Sequence, residues 1–444
     1  MRRRIPVLIG SAAVRAAVAG AAVVAALAYG AGPAAAAGGP TLWVSSSTTV
    51  SGNGTSCSDP GFNTMQSAIT AAPSGATIEV CAGTYTEQLQ ITSSVTIKGI
   101  GNVIVQLPST PADSTTACDT AQGTGAYQPD QDGIAICGSA TVKLDNIVVD
   151  AAWASSVCDD SLYGILVGGG ATLSFVNSSV IAAGAYPLNG CQGGIGIQAG
   201  MSWTTPVEVG HLTMTDSSVS GYQKNGVVVD GTKSSATISH STVTGAGPTS
   251  AIAQNGIQVS NGAGAKISYT TVSGNECDDN AAPCGANGLT DTQSAGLLFY
   301  GAASGSSVSH SRLSYNDMGL YYSANPAGSV VRKPQVTCTD DNFIDNRYEG
   351  AVLDQGSAFL TGSSFSRGNI GIEVIQYSGQ THGSYSVATY DKFSSIHDAT
   401  VDVLSDRNAA DKAGTFTVTH SQILEAKVLD NSKNLKLIRH HNTK

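Results

Sequence analysis

The chain has 444 residues, a formal charge of −10 and only 12% charged side chains, with 52 glycines. That acidic balance excludes a nucleic-acid partner, which needs a basic stripe. Beyond the N-terminus, no stretch reaches the roughly 18 uninterrupted apolar residues that span a bilayer, so no membrane partner is expected once the leader is removed.

Residues 1–37 read as a secretion signal. Arg2, Arg3 and Arg4 form a charged start, Ala16 to Leu27 an apolar core, and Pro33-Ala34-Ala35-Ala36-Ala37 offers small-residue cleavage sites. A retained anchor is disfavoured because the Ala-rich run is weakly apolar and a cleavage site follows it. Residues 38–444 are then expected as one secreted, extracellular domain. It divides into an N-terminal cap over about 41–75, coils over about 76–425 and a C-terminal cover over about 422–444.

All nine cysteines fall in this exported part, where disulfides persist. Sequence does not fix their connectivity. Proximity suggests Cys57–Cys81, Cys118–Cys137, Cys158–Cys191 and Cys277–Cys284, leaving Cys338. Cys338 takes the first apolar place of its repeat and is expected as an inert, inward thiol rather than a nucleophile. No C-x-x-C or His-rich cluster points to zinc.

From Leu144 onward a six-residue phrase recurs, apolar at both ends and polar at its centre. It runs through Leu144 to Val149, Phe175 to Val180, Met214 to Val219, Ile238 to Val243, Ile267 to Val272, Val308 to Leu313, Cys338 to Phe343, Leu360 to Phe365 and Val418 to Ile423. A second phrase, Gly-apolar-x-apolar, precedes most copies, starting at Gly133, Gly164, Gly194, Gly226, Gly256, Gly296, Gly319, Gly350 and Gly371. Repeats spaced by roughly 20–40 residues mean a solenoid, a propeller or an array. Their period-two alternation makes each unit a few short strands.

In such strands Ile257 and Val259 face in and Gln258 out. Val227 and Val229 oppose Val228 in the same way, and Leu320 and Tyr322 oppose Tyr321. Stacked at about 4.8 Å, the inward residues would bury a continuous column. The centre of the first phrase is a tight corner. The third residue beyond the opening apolar one is Ser178, Ser217, Ser241, Thr270, Ser311, Asp341, Ser363 or Ser421, hydroxyls and a carboxylate suited to backbone groups that the turn leaves unpaired. Phe62 to Ala72 reads as a short helical cap over the first coil, and Gln422 to Lys444 as a cover for the other end.

This all-β pattern resembles the right-handed parallel β-helix proteins of the pectin lyase-like superfamily over about residues 60–425. The most specific part is Phe62 to Ile69, Ala71-Ala72-Pro73, Gly75, Ile78-Glu79-Val80, Gly83 to Glu87 and Val95 to Gly99. That stretch is similar to the opening segment of pectin methylesterases. The Asp-Phe-Ile-Phe-Gly phrase of those esterases is missing. So are the Asn-Thr-Asp, Gly-His-Gly and Arg-Ile-Lys set of polygalacturonases and the Asp-Pro-His-Glu phrase of alginate epimerases. No catalytic residue therefore carries over from the resemblance.

The resemblance implies a groove along the Gly-apolar strands, walled by long loops such as 274–295. Outward candidates are Gln198, Val228 with Asp230, Gln258 with Ser260, Leu298 with Tyr300, Tyr321, Asp354 and Glu373. Asp230 and Asp354 lie about four coils apart, near 19 Å, too far to act as one pair. Asp354 and Glu373 sit on neighbouring coils, within reach of the roughly 5–9.5 Å separation that glycosidases use. Mutual repulsion would raise one pKa and make a general acid.

The loop Asp345 to Glu349 leads to the same place, as does Arg367. Asp354, Glu373 and Arg347 are thus the catalytic candidates, and Tyr321, Tyr300, Gln258 and Arg367 the substrate-binding ones. Tyr321 would stack on a sugar and Arg347 would pair with a uronate carboxylate. β-Elimination needs that charge, from Arg, Lys or calcium, besides a base. The competing reading is a set of ordinary solvated side chains on an exposed sheet face.

His240, Tyr269 and His310 occupy one corner position and should stack on successive coils, away from the groove, as a solvent-facing turn. The loop Asn275 to Asn280, with Asp291, is the candidate calcium site, and Asp159-Asp160 a weaker one. Both lack a D-x-D-x-D-G spacing, and no other metal or cofactor is expected. The expected partner is a polysaccharide, cut by a lyase or a hydrolase. The alternative is a non-catalytic carbohydrate-binding or surface-structural protein. The oligomeric state is not specified.

Overall fold

The computed structural model describes residues 39–443, apart from 47–49, 51–53, 114–130, 154–161, 278–293, 325–334, 355, 377–384, 406–413, 424–427 and 432–434. The leader, Cys118, Cys158, Cys284, Asp159-Asp160, Asp278 to Asn280 and Asp291 lie outside the described residues. Among those described, no helix is long and apolar enough to cross a membrane.

The strands form a 12-stranded and a 24-stranded sheet, and every pairing between named strands is parallel. The smaller sheet takes one strand from each coil, running from Leu89–Ile91 through Asn255–Ser260 to Val428–Asn431. The larger takes two per coil, one on each side of the corner phrase. In the coil at Ile238 these are Ser235–Ser239 and Thr242–Thr244.

Alternation sorts the side chains as expected. Val227, Val229, Ile257, Val259, Leu320 and Tyr322 belong to the central core, whereas Val228 and Tyr321 pack in separate clusters on the outer face. A glycine column explains the second phrase. A Cβ on Gly226 would stand 2.6 Å from the Gly256 carbonyl oxygen, and one on Gly350 at 2.6 Å from that of Gly371. Coils approach too closely there for any side chain. In the coil at Ile195–Ala199 the residue in this column is Gly196, not Gly194, since a Cβ on Gly164 would meet the Gly196 oxygen at 2.6 Å.

The corner phrase is a ladder of hydrogen bonds between coils. Backbone N–H groups of Ile147, Ser178 and Ser217 donate to Oγ of Ser178, Ser217 and Ser241 at 3.0, 3.1 and 3.3 Å. Each hydroxyl in turn donates to the carbonyl two residues back, Ser178 to Val176 at 2.7 Å and Ser241 to Ser239 at 2.8 Å. The residue before each rung is left-handed, as at His240, Tyr269 and His310, each with φ of 50°. Their rings stack at 5.0 and 4.9 Å, and a second stack joins Tyr390, His420 and His441.

The N-terminal helix is Met65–Ala71, capped by the Thr64 side chain, which accepts from Ser67 N. The Glu87 carboxylate accepts from Met65 N and Gln66 N, both at 2.9 Å, and so fixes the helix to the first coil. Gln422 to Lys444, expected as a cover, instead contributes strands. Leu435–His440 pairs in parallel with Gly414–Thr419, and Asn442 Oδ1 accepts from Ser421 N at 2.9 Å, in the place of a rung serine. This copy lacks both the glycine and the serine, which hid it among the repeats. Cys57 and Cys81 are bonded, with S–S 2.04 Å. Cys137, Cys191 and Cys277 also stand in disulfides. Cys338 is a buried free thiol, its pKa pushed up by burial and by Asp341 and Asp391.

Candidate functional site

Register places the candidate residues on the outer face of the 12-stranded sheet. One row runs Gln198, Val228, Gln258, Leu298, Tyr321, Val352, Glu373 and Asp402. A second, two residues along each strand, runs Asp230, Ser260, Tyr300, Ser323, Asp354 and Ile375. Asp230 and Asp354 are thus four steps apart, as expected. A third row carries Asn225, Asn255, Ala295, Met318 and Glu349. Glu349 lies three residues before Val352, where strict alternation would turn it inward. Residue 350 is in the glycine column, and the irregularity there brings this position to the outer face, where Ala295 and Met318 pack with Val352.

The face is not a row of solvated side chains. Gln198, Val228, Asp354, Glu373 and Asp402 are all buried, and Met201, on the loop after Ile195–Ala199, packs in the cluster that holds Val228 and Leu166. Glu349 is 0% exposed, and among the described residues neither carboxylate oxygen has a hydrogen-bond partner. Burial first, then Glu373 and Asp317, push its pKa up to about 9. Glu373 is pushed up to about 7 by burial and then by Asp402, its register neighbour. Burial also raises Asp402, against a backbone hydrogen bond. Asp317, moved to about 6 by burial, accepts from Cys277 N at 2.8 Å and Ser294 N at 2.9 Å.

Asp354 and Glu373 are on neighbouring coils but offset. Asp354 is in register with Ile375 and Glu373 with Val352. Asp354 Oδ2 accepts from the Tyr321 hydroxyl at 2.9 Å. Arg347 Nη1 donates to the Cys277 carbonyl at 2.9 Å, and its charge acts on Glu276. Arg367 forks onto Asp345, Nε to Oδ1 at 2.6 Å and Nη2 to Oδ2 at 2.5 Å, and holds that carboxyl below the usual range. Tyr300 is 39% exposed at the rim, and Gln258 Nε2 donates to Ser260 Oγ at 3.2 Å. Glu373 therefore stands in register with Asp402 and acts on Glu349, whereas Arg347 acts on Glu276 and Arg367 on Asp345.

Sequence reading placed Glu349 at the end of an approach loop and passed over Asp402. The strand Ala399–Ser405 has Thr400 where other coils have glycine, and a Cβ on Gly371 would meet the Thr400 oxygen at 2.6 Å. The alternation Val401-Asp402-Val403 was the available signal. Chemically, the centre offers a carboxyl that keeps its proton at neutral pH beside one that titrates there, the division of labour of an acid–base pair.

A family model for the right-handed β-helix region matches residues 196–386. The chain carries a right-handed parallel β-helix. No curated protein matches it. Among solved structures, this β-helix is similar to the periplasmic alginate epimerase AlgG, at 12% identity and a TM-score of 0.47, over 83% of this chain and 77% of that one. It is similar too to the A-module of the Azotobacter vinelandii mannuronan C-5 epimerase AlgE4, at 13% identity and 0.42, over 85% and 90%. For pectate lyase Pel9A the values are 12% and 0.33, over 92% and 77%. Overlays this loose carry no argument about the β-helix's chemistry.

Proposed function

We propose that this is an exported β-helix protein that binds a polysaccharide along the outer face of the 12-stranded sheet and hydrolyses it there. The observation that carries the reading is the pair Glu349 and Glu373, both buried and pushed to about 9 and about 7, with neither Glu349 oxygen hydrogen-bonded among the described residues. Glu349 gives its proton to the glycosidic oxygen as that bond to the anomeric carbon breaks. The Glu373 carboxylate takes a proton from the water that adds to the same carbon. Tyr321, oriented by its bond to Asp354, and the half-exposed Tyr300 supply aromatic faces for the flanking sugars. Hydrolysis is preferred to β-elimination because, among the described residues, no basic side chain acts on Glu349, Glu373 or Asp402.

The second reading, a non-catalytic carbohydrate-binding or structural rod, draws on the complete burial of Glu349. Incubation with pectic, alginate and neutral polysaccharides, with and without calcium, separates the two. New reducing ends that vanish in Glu349→Gln support hydrolysis. Unsaturated ends would make it a lyase, and silence across the panel from a folded protein favours the rod.

A further inference from the structure

Buried carboxyls without a counter-charge among the described residues narrow what can lie on this face. Glu349, Glu373 and Asp402 come from three successive coils, with Asp317 acting on Glu349 from the segment before. Both oxygens of Glu349 and Oδ1 of Asp402 are buried without a hydrogen-bond donor among the described residues. Orphaned carboxyl oxygens of this kind are expensive in a folded protein and point to a donor that arrives with a ligand. Among the described residues, no three acid, His or Cys groups converge closely enough to hold a metal ion. A donor spread along a polymer fits their spacing better than one compact ion.

We propose that the glycan taken by this face carries free amino groups, whose ammonium ions pair with Glu373 and Asp402 while Glu349 faces the scissile bond. This rests on the acid–base reading of the same site. A polyuronate would bring like charge to three carboxyls on which no basic side chain acts among the described residues. The hydroxyls of a neutral glycan would donate to the carboxyl oxygens but leave any charge on them uncompensated. Among the described residues, Asp317 and Glu373 act on Glu349, Asp402 acts on Glu373, and Glu276, itself under the charge of Arg347, acts on Asp317. Tyr321 and Asp354 complete the face. Because an ammonium favours the ionised carboxyl, its binding expels protons from these groups.

The test is calorimetry on the full chain near neutral pH, in two buffers of different ionisation heat, with equal-length oligomers of glucosamine, N-acetylglucosamine and galacturonate. The glucosamine oligomer is expected to bind about tenfold or more tighter than the neutral one and to release protons. The galacturonate oligomer is expected not to bind. Glu373→Gln and Asp402→Asn, near-isosteric and checked by melting temperature, should each remove the preference for the amine. Equal affinity for amino and neutral oligomers, binding of galacturonate, or a preference undiminished in both variants would overturn the proposal. If the neutral oligomer is cleaved, and cleavage is lost in Glu349→Gln, without any amine preference, only the charge inference fails. No binding or turnover of any of the three overturns the acid–base reading as well.

Discussion

Two groups of buried carboxyls with similarly raised pKa values have opposite explanations. Asp341 and Asp391 occupy serine rungs of the corner ladder. Their Oδ1 atoms accept from Ser311 N at 2.9 Å and Ser363 N at 2.8 Å, as a serine oxygen would. Burial raises each to about 7. Where a rung serine donates its hydroxyl to the carbonyl two residues back, an ionised carboxylate has nothing to donate, and Oδ2 of each aspartate is left without a partner. A protonated carboxyl regains a hydrogen to donate, as serine has. The fold accounts for these two. It does not account for Glu349, Glu373 and Asp402, which close no rung of that ladder among the described residues. A raised pKa alone marks burial; a raised pKa without a structural task marks a site.

The sharpest way to break this contrast is by activity. Glu349→Gln and Glu373→Gln should each lower turnover by about 10²–10⁴-fold, whereas Asp341→Ser should leave it unchanged. A Glu349→Gln enzyme as active as the parent would put both groups in the same class. A backbone control comes next. Gly350→Ala places a Cβ 2.6 Å from the Gly371 oxygen and from the Phe365 ring, and should lower stability by about 1–3 kcal/mol, read by denaturant unfolding.

The ladder group makes a signed pH prediction. An acid whose folded pKa lies above its unfolded value binds its proton more tightly when folded. Its contribution to stability is therefore complete below the ordinary aspartate value of 3.8 and is lost as pH rises to about 7. Asp391→Ser should remove that loss, raising stability by about 1–3 kcal/mol in mild alkali and by much less in acid. Melting curves at both pH values check it, and equal shifts would contradict it. The smallest effect should come from Tyr321→Phe, which removes one hydrogen bond to Asp354, worth about 1 kcal/mol. It is expected to raise KM with little change in kcat.

The sequence made the coil legible because its rules are local. A serine at each corner, a glycine before each strand and alternating side chains follow from one repeating geometry, and Ile257, Val228 and Ser217 stand where those rules put them. The site was less legible because it is built where the rules bend. Glu349 turns outward only through the irregularity at the glycine column, and Asp402 lies on the one coil whose column residue is Thr400. Arg347 and Arg367 look available in sequence. Their actual partners, the Cys277 carbonyl and Asp345, depend on neighbouring coils and not on adjacent residues. Burial of the outer face likewise depends on side chains such as Met201 packing back over it.

The most direct measurement assays Glu349→Gln and Asp341→Ser side by side on the same glycan panel, with melting temperatures for both. Loss of turnover in the first with its fold intact, and full turnover in the second, is the expected result. Full turnover in Glu349→Gln, or equal loss in the two, would contradict the division between a carboxyl held for the fold and one held for chemistry.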